Sequence, residues 1–377
     1  MSKYEPIIQS KDNLDDNVYF TATHWQLVRR SFRKHKLAVF SGYLLIIFYI
    51  IGIFCEFFSP YDTLKRNSKY VNAPPQTVHF FDKNGFSLRP FTYIYKKKLD
   101  PETFERIYSP DKNKRVYIYF FVKGLKYKFW NIFWADIHLF GVNTPGTLFL
   151  LGTDNLGRDM FSRIIYASRV SLFIGIIGVL MSFILGTSLG AMSGYYGGVT
   201  DMIIQRIIEF LRSIPTIPLW MGLSAAVPQS WTPLQVYFAI TLILSMLGWT
   251  TMARVVRGKF LEMREEEYIL AARLSGTKTP QIIIKHMIPG FMSYIIVSAT
   301  LAVPSMIIAE TVLSFLGLGL RPPVVSWGVL LQMSQNILTI AVYPWQMAPV
   351  IFVIITVLAF NFVGDGLRDA ADPYQNH

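Results

Sequence analysis

Uncharged apolar runs recur through most of the chain, and their lengths set the first expectation. A hydrocarbon core about 30 Å thick takes about 20 helical residues to cross. Leu37 to Phe58 is the first run of that size, broken only by Glu56 near its end, and Val170 to Thr200 is a second with no charge. Ser213 to Ala253 is too long for one span, and Pro228-Gln229-Ser230-Trp231-Thr232-Pro233 supplies turn chemistry in its middle. It divides there into two helices. The earlier one starts near Asp201, because Met202, Ile203, Arg206, Ile207, Phe210 and Leu211 follow helical spacing. Met287 to Ala309 is the fifth run. Pro322 to Gly364 also lacks charge, but Pro344 and Trp345 split it into a short apolar stretch and a last span near Gln346 to Gly364. The pattern predicts an all-α polytopic membrane protein with six transmembrane helices.

Between the first and second spans the periodicity changes. Ser59 to Thr144 is rich in Lys, Asp, Asn and aromatics. Strand-like pieces appear at Thr77–Phe81, Phe91–Tyr95 and Val116–Val122, with turn signals at Asn84-Gly85 and Pro110-Asp111. The segment is long enough to bury a small core, so a β-rich extracytoplasmic insertion is expected over residues 59–144. It is either a contact surface for a partner or substrate, or a lid or spacer. Ahead of the first span, Trp25, Leu27, Val28 and Phe32 alternate with arginines at helical spacing. That segment is either an interfacial amphipathic helix or a partly disordered basic orientation signal.

Composition agrees with the membrane reading. Of 377 residues, 52% are apolar and only 16% charged, against about 25% in a soluble domain. Mean hydropathy is +0.36. The net charge of +12 would raise nucleic-acid binding in a soluble chain, but the basic residues lie elsewhere. Arg29, Arg30, Arg33, Lys34 and Lys36 precede the first span, and Arg254, Arg257, Lys259, Arg264, Arg273, Lys278 and Lys285 fill the loop between spans four and five. With six spans both lie on one side, which makes both termini (1–36 and the C-terminus) and the loop at 254–289 cytoplasmic by the positive-inside rule. Ser59 to Arg169 holds half of the 36 basic residues, and loops of that length translocate largely regardless of charge. No nucleic acid partner is expected. The polar residues 1–36, followed by a span-length apolar run, argue against a cleaved signal peptide.

Catalytic parts are missing from the sequence. Gly258-Lys259 is followed by Phe260, with Ala253 where the first P-loop glycine would stand. His24, His35, His79, His138, His286 and His377 show no metal-ligand spacing, and Cys55 is the sole cysteine. No bound cofactor or metal is expected. Glu209 and Glu310 are the candidates for an intramembrane relay. Pairing of Glu209 with Arg206 or Arg212, and a cap or polar cavity for Glu310, is the simpler reading.

The loop at 254–289 is the most informative stretch. Glu265 to Leu274 reads as a helix, Ser275-Gly276-Thr277 as its stop, and Pro280 to His286 as a second helix opened by proline. Ala271, Ala272, Gly276 and Pro289 match the "EAA" loop of the ABC-importer permeases. Leu270 stands where that family usually has glutamate, and His286 where isoleucine is usual. Both departures resemble the oligopeptide/dipeptide/nickel subfamily. So do Leu151 to Asp159, Gly194 to Gly198, Phe315 to Gly319 with Pro322, Pro323, Ser326, Trp327 and Gly328, and Gly364 to Asp369 with Asp372-Pro373. The chain is similar to the C-type permease subunit of a peptide importer.

The resemblance implies a type I importer fold with a permease core at 145–377. Its partners would be a second permease subunit, two ATPase subunits that carry ATP and Mg, an extracytoplasmic binding protein and a peptide substrate, in a bacterial or archaeal cytoplasmic membrane. It also implies that Glu267, Leu270, Ala271, Ala272, Arg273, Gly276 and Pro289 couple to the ATPase, with Arg273 at the rim and Ala271, Ala272 and Gly276 at the centre. Asp154, Arg158 and Asp159 would begin an external gate helix that meets the binding protein, with capping as the plainer role of Asp154. Trp327 would anchor at the membrane interface. The small residues Gly175, Gly178, Ser182, Gly186, Ser188 and Gly190 imply close packing of the second span. Nickel or a peptide-like compound is the alternative substrate. A secondary transporter would show an internal repeat and mid-membrane charges, and a membrane-anchored receptor would not need five further spans.

Overall fold

A computed structural model describes residues 24–82, 85–102, 106–130, 132–143 and 146–371. Asn84 of the first expected turn and the Asp372-Pro373 pair therefore lie outside the described residues, as does most of the N-terminal segment 1–36. In chain order the helices are α1 (His24–Lys34), α2 (Lys36–Ile53), α3 (Cys55–Phe58), α4 (Met160–Tyr196), α5 (Gly198–Ser213), α6 (Thr216–Ala225), α7 (Pro233–Met263) and α8 (Glu267–Leu274). There follow α9 (Thr279–Gln281), a π-helical turn (Ile282–Met287), α10 (Ile288–Gly290), α11 (Met292–Phe315), α12 (Trp327–Met333), α13 (Ile337–Val342) and α14 (Pro349–Ala371).

Among the described residues, five helices are long and apolar enough to cross a membrane: α2, α4, α7, α11, and the last one taken from Pro344 to Ala371 with its opening 3₁₀ turn. The expected third span is the exception. Its helical spacing materialises as α5, but Pro215 lacks an N–H and forces extended backbone on Ile214 (ψ 130°). Where that span was expected there are thus two shorter helices, α5 and α6, neither of span length.

α4 is the longest helix. Asp159 caps it by accepting the Ser162 amide at 2.8 Å, and Gly197 ends it at φ +64°. One face carries the small residues. A Cβ on Gly175 or Gly178 would meet Ile307 or Met306 of α11 at 2.8–3.0 Å, and one on Gly186 or Gly190 would meet Trp249 O or Ala253 O of α7 at 2.7 and 2.5 Å. α4 therefore packs on α11 with its first half and on α7 with its second. The main apolar core draws on α2, α4, α7, α11, α12 and α14. Trp327 sits fully inside it, 0% exposed, so it is a core residue rather than an interface anchor. Many outward apolar side chains, such as Phe40 and Ile47 of α2 and Leu180 and Ile184 of α4, are exposed in the isolated chain, as lipid-facing positions are.

The insertion is β-rich. Strands β1 (His79–Asp82), β2 (Gly85–Leu99), β3 (Arg106–Phe129) and β4 (Phe133–Val142) form one antiparallel meander in the order β1-β2-β3-β4. The long β3 serves two partners, pairing with β2 through Arg106–Tyr117 and with β4 through Ile118–Phe129. The sheet is fastened to the bundle beside the start of α4. Trp130 Nε1 donates to Ile53 O at 3.0 Å, and both ring nitrogens of His138 face carbonyls, Ser59 O at 2.6 Å and Leu125 O at 3.0 Å. The opposite end of α4 reaches α8, where Arg273 lies over the Tyr195 ring at 5.6 Å. We call these the sheet end and the loop end.

Replacing Gly190 with Leu is expected to lower the melting temperature in detergent, because overpacking a close contact costs about 1–3 kcal/mol. Gly222, whose Cβ would meet nothing within 4 Å, is the control: Gly222→Ala should not lower it. Equal melting of wild type and Gly190→Leu would contradict the α4–α7 packing.

Candidate functional site

Two sets of candidate residues occupy opposite ends of α4. At the loop end, α8 begins at Glu267 and stops in a Schellman arrangement. Gly276 N donates to Arg273 O and Thr277 N to Ala272 O, both at 3.1 Å, with Gly276 at φ +79°. No atom lies within 4 Å of a Cβ at Gly276, so the backbone conformation, not crowding, calls for glycine there.

α8 rests on the bundle by one side. Ile269 is 0% exposed and joins Ile282, Met287, Phe260, Met263 and Phe291 in a second core, with Ala272 half-buried against it. The other side is bare. Glu267 and Ala271 are exposed, Leu270 is 38% and Leu274 89% exposed, and Ile284 beyond the turn is 63% exposed. The structure thus brings Glu267, Leu270 and Ala271 onto one open face and turns Ala272 away from it. Arg273 packs on Tyr195, Gly276 shapes the turn, and Pro289 is exposed at the far end of the second arm. Leu274 and Ile284 were not among the expected residues. The signal was present as an i, i+4 apolar pair, Leu270 and Leu274, on a short helix preceded by three acids.

At the sheet end, Gly152 (φ +71°) and Gly157 (φ +72°) fold the Leu151–Asp159 loop tightly. A Cβ on Gly157 would stand 2.1 Å from Asn67 O. Asp154 is the hub of this loop. Its Oδ1 accepts from the amides of Leu156 and Arg158 at 2.9 Å, while Oδ2 accepts from Arg158 Nε at 2.7 Å and from Arg163 Nη1. Both guanidinium groups also reach Met333 Sδ at the end of α12. Thr153 ties the neighbouring strand-like arm. It exchanges hydrogen bonds with Ala73 and Tyr70, and its carbonyl accepts from Trp345 Nε1 at 3.1 Å.

The cap of α4 is Asp159, one turn later than Asp154. Asp154, Arg158 and Asp159 are 3%, 5% and 3% exposed. As the chain stands here, they organise the loop from inside rather than offer a surface. Arg163, 2% exposed in its side chain, completes the cluster and was not among the expected residues. Nothing in linear spacing ties it to Asp154.

The two relay candidates separate. Glu209 is exposed and pairs with Arg206 at 2.8 Å. Glu310 is fully buried in α11 and accepts from Ser326 at 2.7 Å, Ser314 at 2.8 Å and Ser171 at 3.4 Å. Ser171 in turn accepts from Trp327 N at 3.1 Å. Glu310 therefore pins the start of α12 to α4 and α11. Among the described residues, no group of three His, Cys, Asp or Glu could hold a metal ion.

Residues 186–376 match the family described as binding-protein-dependent transport system inner membrane component, and residues 23–75 match the N-terminal TM domain of oligopeptide transport permease C. The oligopeptide transport system permease protein OppC of Bacillus subtilis is 30% identical over 93% of this chain and 89% of its own length. The chain belongs to the family of binding-protein-dependent inner membrane permeases. The dipeptide permease protein DppC of the same organism is 31% identical over 91% of this chain and 84% of its own. Among solved structures, a methionine ABC transporter (MetNI) in an inward-facing conformation aligns with 56% of this chain and 97% of its own at 18% identity and TM-score 0.43. The family expected from the 254–289 loop is thus the family found. In this permease that loop carries the bare helix α8, and the Leu151–Asp159 motif forms the buried hub.

Asp159 gives the permease a pH signature. Burial, with a smaller contribution from Asp154, pushes its carboxyl up to about 7, against about 3.9 for an unfolded Asp. The folded chain holds the extra proton between those values, so this group's contribution to stability falls as pH rises from about 4 to about 7. Asp159→Asn keeps a cap and cannot ionise. Its melting temperature relative to wild type is expected to rise between pH 5 and pH 8. A relative fall over that range would mean that the charged carboxylate is the favoured form.

Proposed function

We propose that the chain is the C-type permease subunit of an ATP-driven peptide importer, forming half of the translocation pathway beside a second permease subunit. Two ATPase subunits, holding ATP and Mg, would bind the loop end, and an extracytoplasmic binding protein would deliver peptide at the sheet end. On this reading both termini and α8 are cytoplasmic, the sheet is external, and α5 with α6 makes the third of six crossings as a broken helix. The catalytic work belongs to the ATPases.

The bare apolar face of α8 carries the reading. Leu270, Ala271 and Leu274 leave water only if another surface covers them, and Ile269 and Ala272 root the helix in the bundle so that a push on it is not absorbed locally. Glu267 lies on the edge of that face. Arg273 and Gly276 fix the helix against α4 and set its turn, and Pro289 closes the second arm toward α11. The kinship with peptide and dipeptide permeases supports the substrate class. Between α4, α7 and α11 a cavity of about 400 Å³, lined by Ser182, Trp220, Thr251, Tyr294 and Ser305 among apolar groups, holds no charged side chain. We assign it to the pathway. Asp154 and Arg158 act on delivery indirectly, by setting the loop from which Asp159 caps the external start of α4.

Gly276→Val places a β-branched residue at positive φ, which costs at least the roughly 1–2 kcal/mol of an ordinary side chain there. ATP-driven peptide uptake into vesicles containing the complete transporter is expected to drop at least tenfold while the subunit still inserts in the membrane. Leu274→Asp should release the ATPase on co-purification. Wild-type uptake in both variants would overturn the coupling role of α8.

A further inference from the structure

The pathway cavity does not account for a second, larger one at the sheet end. It measures about 560 Å³ and lies between β3, β4, the chain just after α3 and the loop entering α4, within the range of small-molecule sites. Two of its lining residues bring buried polar atoms with no partner among the described residues, Asp159 Oδ1 and Thr147 Oγ1. A buried acceptor left without a donor is destabilising. Arg158 and Arg163 do not relieve it: both pair with Asp154, and Arg163 Nε is itself left without a partner among the described residues. Asp159 spends only Oδ2 on its cap, so a spare carboxylate oxygen, closely covered in the chain as it stands, belongs to a residue of the cavity wall.

The same cavity carries the opposite charge elsewhere. Lys65 and Lys123 line it from exposed positions, and neither has a carboxylate partner among the described residues. Lys65 lies over the Tyr61 ring at 5.5 Å. An inner acceptor and outer cations match a zwitterion with its ammonium inside and its carboxylate outside. A simple anion would meet the Asp159 carboxylate, and a divalent ion would find one carboxylate where it needs several oxygen ligands. Val122, Phe140 and Phe149 add apolar wall between the two charged regions, which suits side chains carried on a short backbone.

We propose that this cavity is a peptide-binding subsite on the permease itself, taking the α-ammonium of a short peptide on Asp159 and its carboxylate at Lys65 and Lys123. It would hold substrate beside the start of α4, apart from the pathway cavity. The choice of a peptide as ligand rests on the function proposed above.

The test uses the full-length subunit in lipid nanodiscs, without ATPase or binding protein, titrated calorimetrically with Ala-Leu-Ala, its N-acetyl form and its C-terminal amide. Saturable binding of the free peptide is expected, at least tenfold weaker for the N-acetyl form. Asp159→Asn, which keeps the helix cap and the side-chain shape, should weaken the free peptide at least tenfold while the protein still melts cooperatively. Lys65→Gln with Lys123→Gln should weaken the free peptide and leave the amide unchanged. The proposal is overturned if Ala-Leu-Ala does not bind, if acetylation leaves affinity unchanged, or if Asp159→Asn binds like wild type. Because the titration needs no ATP, lost binding with normal uptake removes only this subsite. Normal binding with no ATP-driven uptake removes only the transport reading.

Discussion

The Asp154 carboxylate, shared by Arg158 and Arg163 at the buried entrance to α4, is the interaction on which the arrangement depends. Three charges out of water are tolerated only when each is paired and hydrogen-bonded, and removing one partner of such a group costs about 3–5 kcal/mol. Here Asp154 takes two backbone amides as well as two guanidinium groups, so its capacity is fully used. Through it the loop at 151–159, the arm at 67–76, the end of α12 and the 3₁₀ turn before α14 meet at one point. The sheet has somewhere fixed to stand because this point is fixed.

From that hub α4 runs to the opposite end without a break. Its 37 residues give a length of about 55 Å at 1.5 Å per residue, well beyond a hydrocarbon core of about 30 Å. The small-residue face lets α7 and α11 close on it along most of that length, and the last turn meets α8 through Tyr195 and Arg273. One rigid element thus connects the bare helix at the loop end to the hub and the cavity at the sheet end. Glu310 adds a cross-tie about a third of the way along, at Ser171, by holding the start of α12 to the same helix.

Much of this was legible in the residues, and the gaps have physical causes. Span-length apolar runs located α2, α4, α7, α11 and α14, because hydrocarbon solvation acts on one segment at a time. Alternation and turn residues exposed the β-rich insertion. The single third crossing failed at Pro215, a helix breaker inside a convincing apolar period. Trp327 was misplaced because an aromatic beside prolines reads as an interfacial anchor, whereas Glu310, Ser171 and Ser326 draw its segment into the core. At the loop end, the Gly276 turn was readable from local chemistry, but Leu274 mattered only once α8 had a buried side and an open one. Arg163 and the spare oxygen of Asp159 are products of tertiary packing. No spacing rule reports that Asp154 is already saturated or that a cavity adjoins its neighbour.

On the proposed function, α4, anchored at the Asp154 hub, carries work from α8 to the sheet end. Peptide uptake and ATP hydrolysis measured together in vesicles containing the transporter assembled with Asp154→Asn test it most directly. Hydrolysis is expected to continue while peptide imported per ATP falls at least tenfold, because an ATPase seated as proposed would still grip α8 while the far end of α4 has lost its anchor. An unchanged ratio of uptake to hydrolysis, in a subunit that inserts normally, would contradict it.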